Sequence, residues 1–410
     1  MAGYVKQIPA VPSWARERLL FGLTVGQYLK KLVTPFNVVA GIIILTGVFL
    51  IALRYYQGLG AVTSASQTQP WGLFLSWGLY SGVPLSATGF VLGTAVYILG
   101  LKQYQPIVKN AILVGLLGYL FAVIFLLIDL GRPWRLPYPM IGSFGTASVL
   151  FLVAWHVALY LSCQFLEFSP SISEWGGWKR LRKWGIQMTI GLTIFGIILS
   201  TLHQSALGAM FLLAPGKLHP LWYSPYIPVL FLISAIAAGL CMMIVINQLT
   251  RYFFKDRADG KYFNSLDGIN FGLGKAASFV LITYFSLKLV ALAHGNHWSL
   301  LNTPYGYWFL FELLALVLIP TFLFIFGTQR GNIVVVRIAA IITIIGIIIN
   351  RLNVSLITLN WQLPEREFFY LREFLIVIAV ITIQMLVYRW IVNRMPVLRE
   401  HPDFSDDEPH

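Results

Sequence analysis

The sequence predicts an all-α polytopic membrane protein with ten transmembrane helices, and three observations carry that reading. Hydrophobic residues make up 58% of the 410 residues and charged residues 11%, against about 25% charged in soluble domains. Ten apolar runs each reach the ~20 residues needed to cross the hydrocarbon. The 29 lysines and arginines then sort unequally: 20 fall on the side holding both termini, 7 on the other, and Lys275 and Lys288 lie inside span seven. Positive charge marks the cytoplasmic side, so both termini are expected there. This orientation signal accounts for the net charge of +13 without a nucleic-acid partner.

Residues 1–35 contain Trp14, Arg16, Arg18, Leu19, Leu20 and Phe21, then Lys30 and Lys31, the pattern of a segment lying on a membrane face. They lack the apolar core and small-residue cleavage site of a removable leader. Spans are expected at 36–55, 71–100, 110–128, 143–166, 184–204, 226–249, 270–294, 304–326, 333–353 and 370–392. The second is too long for a straight span. Pro84, within SGVPLSATG, is expected to kink it, with Ser81, Ser86 or Thr88 covering the freed carbonyls. Cys163 and Cys241 both fall in apolar runs with no metal or redox spacing and read as packing residues. Residues 393–410, with the DDE run and His410, read as a polar, disordered tail.

The stretch Leu120–His156 concentrates the chemistry. Asp129 closes span three, Arg132 and Arg135 follow within two turns, and His156 lies thirteen residues into span four. An ionisable group inside a membrane is costly, so it needs a partner, water or a function. Asp129 reads either as an acid salt-bridged to Arg132 or as a proton acceptor for a bound hydroquinone. His156, near mid-membrane, reads as a core histidine, a quinone partner or a proton relay. His203, in STLHQSALG, is expected at the outer end of span five, level with Asp129. In span two, Trp77 and Tyr80 are three apart and share a helical face suited to stacking on a quinone ring, with Ser81 beside them. Thr88 and His156 are candidates for a proton path. Lys288 and Glu312 are expected at similar depth in spans seven and eight, as a structural ion pair or as part of that path.

LIDLGRP after span three, and STLHQSALG followed by KLHPLWYSP and FLISAIAAG, resemble the polysulfide-reductase membrane subunit (NrfD-type) family. The similarity is greatest to its ten-span branch, which includes the membrane subunits of a periplasmic nickel–iron hydrogenase and of quinone reductase complexes. The resemblance implies two consecutive four-helix bundles, spans two to five (71–204) and six to nine (226–353), flanked by spans one and ten. It implies a bacterial inner membrane, a menaquinone site in the first bundle near the outer face, and a periplasmic iron–sulfur subunit passing electrons, with a further catalytic or cytochrome subunit behind it. Asp129 and His203 match the family's acid and histidine, and Arg132 joins Tyr80, Trp77 and Ser81 as a quinone contact.

The expected function is therefore a quinone-reactive membrane subunit of a respiratory oxidoreductase, not catalytic alone, with proton translocation as a further expectation. No iron–sulfur cluster is expected in a chain with two cysteines. No haem is expected either, because His156 lacks a facing histidine at matched depth. The outer turns at 132–139 and 205–220, with Trp134, Tyr138, Trp222 and Tyr223, are the expected docking surface. A b-type cytochrome and an ion or proton transporter are the competing readings.

Overall fold

The computed structural model describes residues 13–66, 69–363 and 369–399. Gln67 in the first outer loop, His401, His410 and the DDE run lie outside the described residues. Ten helices are long and apolar enough to cross a membrane: Pro35–Gln57, Leu73–Ile98, Lys102–Asp129, Val149–Gly176, Lys179–Leu213, Ile227–Phe253, Tyr262–His294, Pro304–Gln329, Ile333–Ile357 and Leu371–Arg394. They are spans one to ten below, and "outer" denotes the face opposite the termini. Composition dictates this outcome, because a backbone in lipid must satisfy its own polar groups and the helix does so within one segment.

Before the spans, two short helices, Ser13–Leu20 and Val25–Leu32, lie at the inner face. Thr24 and Gln27 form a reciprocal capping box that starts the second. Arg394, at the end of span ten, donates to the Leu19 carbonyl at 2.8 Å and to the Tyr28 hydroxyl at 2.7 Å, which ties the inner ends together.

Spans two to five pack on one another, spans six to nine do likewise, and span one pairs with span ten. The two groups of four are also joined: span six lies against spans two and five, and span nine against span two. At the span six crossing, a Cβ on Gly239 would come 2.9 Å from the backbone of Ala87, so only glycine permits that approach.

Span two is interrupted where Pro84 predicts it. A π-helical stretch Ser76–Ser81 leads to a short α-helix Gly82–Leu85, a break at Ser86–Ala87, then α-helix Thr88–Gly93 and a second π-helical stretch Thr94–Ile98. Ser81 Oγ donates to the Ser76 carbonyl at 2.9 Å and Ser86 Oγ to the Gly82 carbonyl at 2.7 Å. Thr88 Oγ1 crosses to span three, donating to the Ala111 carbonyl at 2.7 Å.

Two span ends differ from expectation in ways that matter for function. Span four begins at Val149 rather than 143, so His156 is seven residues from its outer end, about 10 Å of helix. Span five does not stop at 204. Its α-helix runs to Ala209 and a 3-10 turn carries it to Leu213.

Candidate functional site

Spans three, four and five enclose a column of buried polar side chains. His156, Tyr160 and Gln164 recur every fourth residue of span four, and Ser200, His203 and Gln204 share a face of span five, so each helix turns a polar stripe inward. The Tyr119 ring of span three stands 4.6 Å from Tyr160 and 5.7 Å from His203. Gln204 Nε2 donates to the Tyr119 hydroxyl at 3.3 Å and to the Val83 carbonyl at 3.4 Å. Gln164 Nε2 donates to the Tyr160 hydroxyl at 2.9 Å. Room for Gln164 comes from Gly115, where a Cβ would fall 2.5 Å from its amide nitrogen.

His203 is fully buried, and neither ring nitrogen has a hydrogen-bond partner. His156 is its electrostatic neighbour across the helix pair, with an unpaired Nδ1. Gln164 Oε1 and Gln204 Oε1 are also unpaired. Each buried, unsatisfied polar group costs about 1–3 kcal/mol. Such a cluster is a place for a ligand with hydrogen-bonding oxygens, or for water.

This placement corrects the expected level of His203. Tyr119, its ring neighbour, precedes Asp129 by ten residues on one helix, about 15 Å along the axis. His203 therefore lies well below Asp129, inside a helix that its sequence appears to end. The polar STLHQS run faces the interior instead of forming a turn.

Asp129 belongs to a separate outer cluster. It is the last residue of the span three α-helix and is partly buried. The cation beside it is Arg54 of span one, 3% exposed, which donates to the Asp129 backbone carbonyl at 3.1 Å and also to the Leu130 carbonyl. Arg54 thus caps the helix C-terminus, where a cation is favourable, and it acts electrostatically on the Asp129 carboxylate. A second acid, Glu373 of span ten, is Asp129's electrostatic neighbour and accepts from the Phe74 N–H at 3.0 Å and the Thr63 hydroxyl at 3.2 Å. Arg132 is exposed on the following loop, and no ion pair joins it to Asp129. The expected Asp129–Arg132 staple is replaced by Arg54, whose distance in sequence hid it.

Trp77 and Tyr80 do not share a face. The intervening turn is π-helical, which is wider than an α turn. Trp77 packs against the larger apolar core, whereas Tyr80 enters the second core beside Trp71 and Phe211, with ring centroids at 5.4 and 5.3 Å. The Tyr80 hydroxyl contacts Met210 Sδ at 3.7 Å. Ser81 is buried and bonded within its own helix.

Lys288 and Glu312 are both buried, at 5% and 3% exposure, but they form no ion pair. Glu312 accepts instead from Trp222 Nε1 at 2.8 Å, Asn350 Nδ2 at 2.6 Å and Asn353 Nδ2 at 2.5 Å. Lys288 Nζ lies over the Tyr284 and Phe309 rings at 5.8 and 5.5 Å and feels Glu312 only through space. Trp222, expected on a docking surface, is consequently interior. Arg351, fully buried, completes the group by donating to Ser234 Oγ at 2.6 Å and to the Phe231 carbonyl at 3.0 Å. Sequence reasoning missed Arg351, Glu373 and Arg54; each sits near a span end, where charge reads as interfacial.

Above this group, His219 holds the outer segment 214–226 in place. Its Nδ1 accepts from the Leu221 N–H at 3.2 Å, and its ring packs on Tyr305 and Trp361 at 4.7 Å each. Burial, with His297 adding to it, lowers the imidazole from 6.5 to about 4. The unfolded chain then binds the extra proton between those values, so this contribution to stability is present above pH ~6.5 and is lost as pH falls towards 4. His219→Gln is expected to flatten the acid side of a thermal-stability profile; an unchanged slope between pH 4 and 6.5 would assign that dependence elsewhere.

Residues 61–359 match the family described as Polysulphide reductase, NrfD. A protein of Nitratidesulfovibrio vulgaris is 45% identical over 92% of this chain and 98% of its own length. The probable Ni/Fe-hydrogenase 2 b-type cytochrome subunit of Escherichia coli is 30% identical over 90% of this chain and 93% of its length. The menaquinone reductase integral membrane subunit of N. vulgaris is 27% identical over 72% of this chain and 74% of its length.

Proposed function

The chain belongs to the polysulphide reductase NrfD family, and on that premise we propose that it is the quinone-reactive membrane subunit of a respiratory oxidoreductase complex. It exchanges electrons between a periplasmic iron–sulfur subunit and menaquinone in a bacterial inner membrane, with both termini cytoplasmic. The observation that carries this reading is His203, wholly buried with two unpaired ring nitrogens. A naphthoquinone head group offers the acceptor oxygens those nitrogens and the His156 imidazole lack. The half 71–204 holds this site, and 226–353 is a second half of the same helical construction.

The residues fit the quinone in chemistry: donors and acceptors without partners, an apolar surround, and a half-exposed His156 on the lipid side. When bound, the quinone supplies two-electron carrier chemistry. The chain binds and orients the head group through His203, His156 and Gln204, excludes bulk water, and presents Asp129 as the outer proton acceptor. A haem fits less well. His156 and His203 sit on helices in direct contact, where a Cβ on Gly196 would lie 3.5 Å from both Cys163 and Tyr160, and a macrocycle between the rings would have to part that pair. No step is assigned to a haem. The electron-donating partner docks on the outer loop after span three, where Trp134, Tyr138, Ile141 and Phe144 are exposed.

The test is photolabelling of the complex, purified through this chain, with an azido-naphthoquinone. Labelled peptides from 149–213 support the site; labelling confined to 226–353, or none displaced by excess dimethylnaphthoquinone, would overturn it.

A further inference from the structure

Two acids lie seven residues apart on the inner half of span four, and the structure treats them differently. Glu174 is held by cations, with Lys109 Nζ at 3.0 Å and Arg182 Nε at 2.9 Å. Glu167 has no ion-pair partner among the described residues. It is partly buried, accepts from the Thr193 hydroxyl at 3.0 Å, and lies within electrostatic reach of Tyr160 and Tyr97. A carboxyl buried without a cation is expensive to keep charged and is therefore suited to carrying a proton.

From Glu167 the polar column leads outward. Tyr160 and Gln164 come next on span four, and Ser200 faces both the Tyr160 and Tyr119 hydroxyls. Gln204 then bonds Tyr119 and adjoins His203. Glu167 to His156 is eleven residues, about 16 Å of helix, or half of a ~30 Å hydrocarbon layer. The unpaired oxygens of Gln164 and Gln204 along it are sites where buried water is expected.

We propose that Glu167 is the inner proton-loading group of the quinone site. It takes protons from the side bearing the termini and delivers them through Tyr160, Tyr119 and intervening water to His203. Gln164 and Gln204 orient the hydroxyls. Each turnover is balanced: two electrons from the partner's iron–sulfur cluster and two protons along the column convert both quinone C=O groups to hydroxyls. Glu167 is refilled from the inner aqueous phase. This rests on the quinone reading above. Because electrons arrive from the outer face and protons from the inner, each turnover separates charge across the membrane.

The experiment uses the intact complex in vesicles, driven by reduced viologen with dimethylnaphthoquinone as acceptor, and a pH dye on the side of the termini. Glu167→Gln is expected to slow proton uptake from that side at least tenfold while azido-naphthoquinone labelling of 149–213 persists. Glu167→Asp should restore most of the rate, which a merely structural role would not predict. Gly115→Ala, which displaces the Gln164 amide, should slow uptake with Glu167 intact. Uptake at the wild-type rate in Glu167→Gln would overturn the proposal. Failure of the wild-type complex to reduce or bind the quinone would overturn the site reading beneath it.

Discussion

Replacing His203 by leucine is expected to lower quinone turnover by about 100-fold or more, the usual scale for a lost proton-transfer group, without lowering thermal stability. The second half of that expectation is what makes the first informative. A core histidine held by hydrogen bonds would leave its former partners unsatisfied when removed, at a cost of about 1–3 kcal/mol each. His203 has no such partners, and an apolar side chain of similar size removes two unsatisfied nitrogens from the interior. Turnover with dimethylnaphthoquinone and thermal unfolding of the detergent-solubilised complex measure the two quantities. A variant that retains turnover within threefold removes His203 from the site. One that loses turnover together with several degrees of melting temperature makes it structural.

Asp129→Asn is expected to abolish quinone turnover, again by about 100-fold or more, in a complex that still assembles. The substitution is clean for a reason specific to this site. Arg54 hydrogen-bonds the backbone oxygens of residues 129 and 130 rather than the carboxylate, so asparagine leaves the helix cap in place. What disappears is one negative charge and one titrating group. Glu373 remains beside Arg54 and limits the electrostatic penalty. The variant complex is assayed for turnover and for co-purification of its partner subunits. Normal quinone activity would leave Asp129 a structural acid, and loss of the partner would assign it to docking.

Much of the fold was legible because lipid imposes one strong rule: hydropathy marks spans, lysine and arginine mark a side, and Pro84 marks a break. The site was less legible, for identifiable reasons. The STLHQS run looks like the end of a helix because hydropathy counts its polar residues as exits, yet their spacing turns them towards Tyr119 and Tyr160. Asp129 was visible, but its cation was sought nearby in sequence, at Arg132, whereas helix packing delivers Arg54 from span one. Lys288 and Glu312 were placed at matched depth; the three donors that occupy Glu312, Trp222, Asn350 and Asn353, come from loops and spans no local pattern connects. The π-helical turn at Ser76–Ser81 has no composition signal, and it alone separates Trp77 from Tyr80.

The contact of Gly239 with Ala87 falls on the interruption of span two, the one place in these helices built like a hinge. A hinge swings only if its backbone is free, and this one is clamped from the side by a neighbouring helix with no side chain between them. Carriers that expose a site alternately to each membrane face rely on rocking one repeat against another; here that motion would have to tear a backbone-to-backbone seam. The bend therefore works as a keystone rather than a joint, and it locks the distances between the buried groups of the two halves. Such rigidity suits a subunit whose moving parts are electrons, protons and a diffusing lipid-soluble molecule, and it disfavours a transporter.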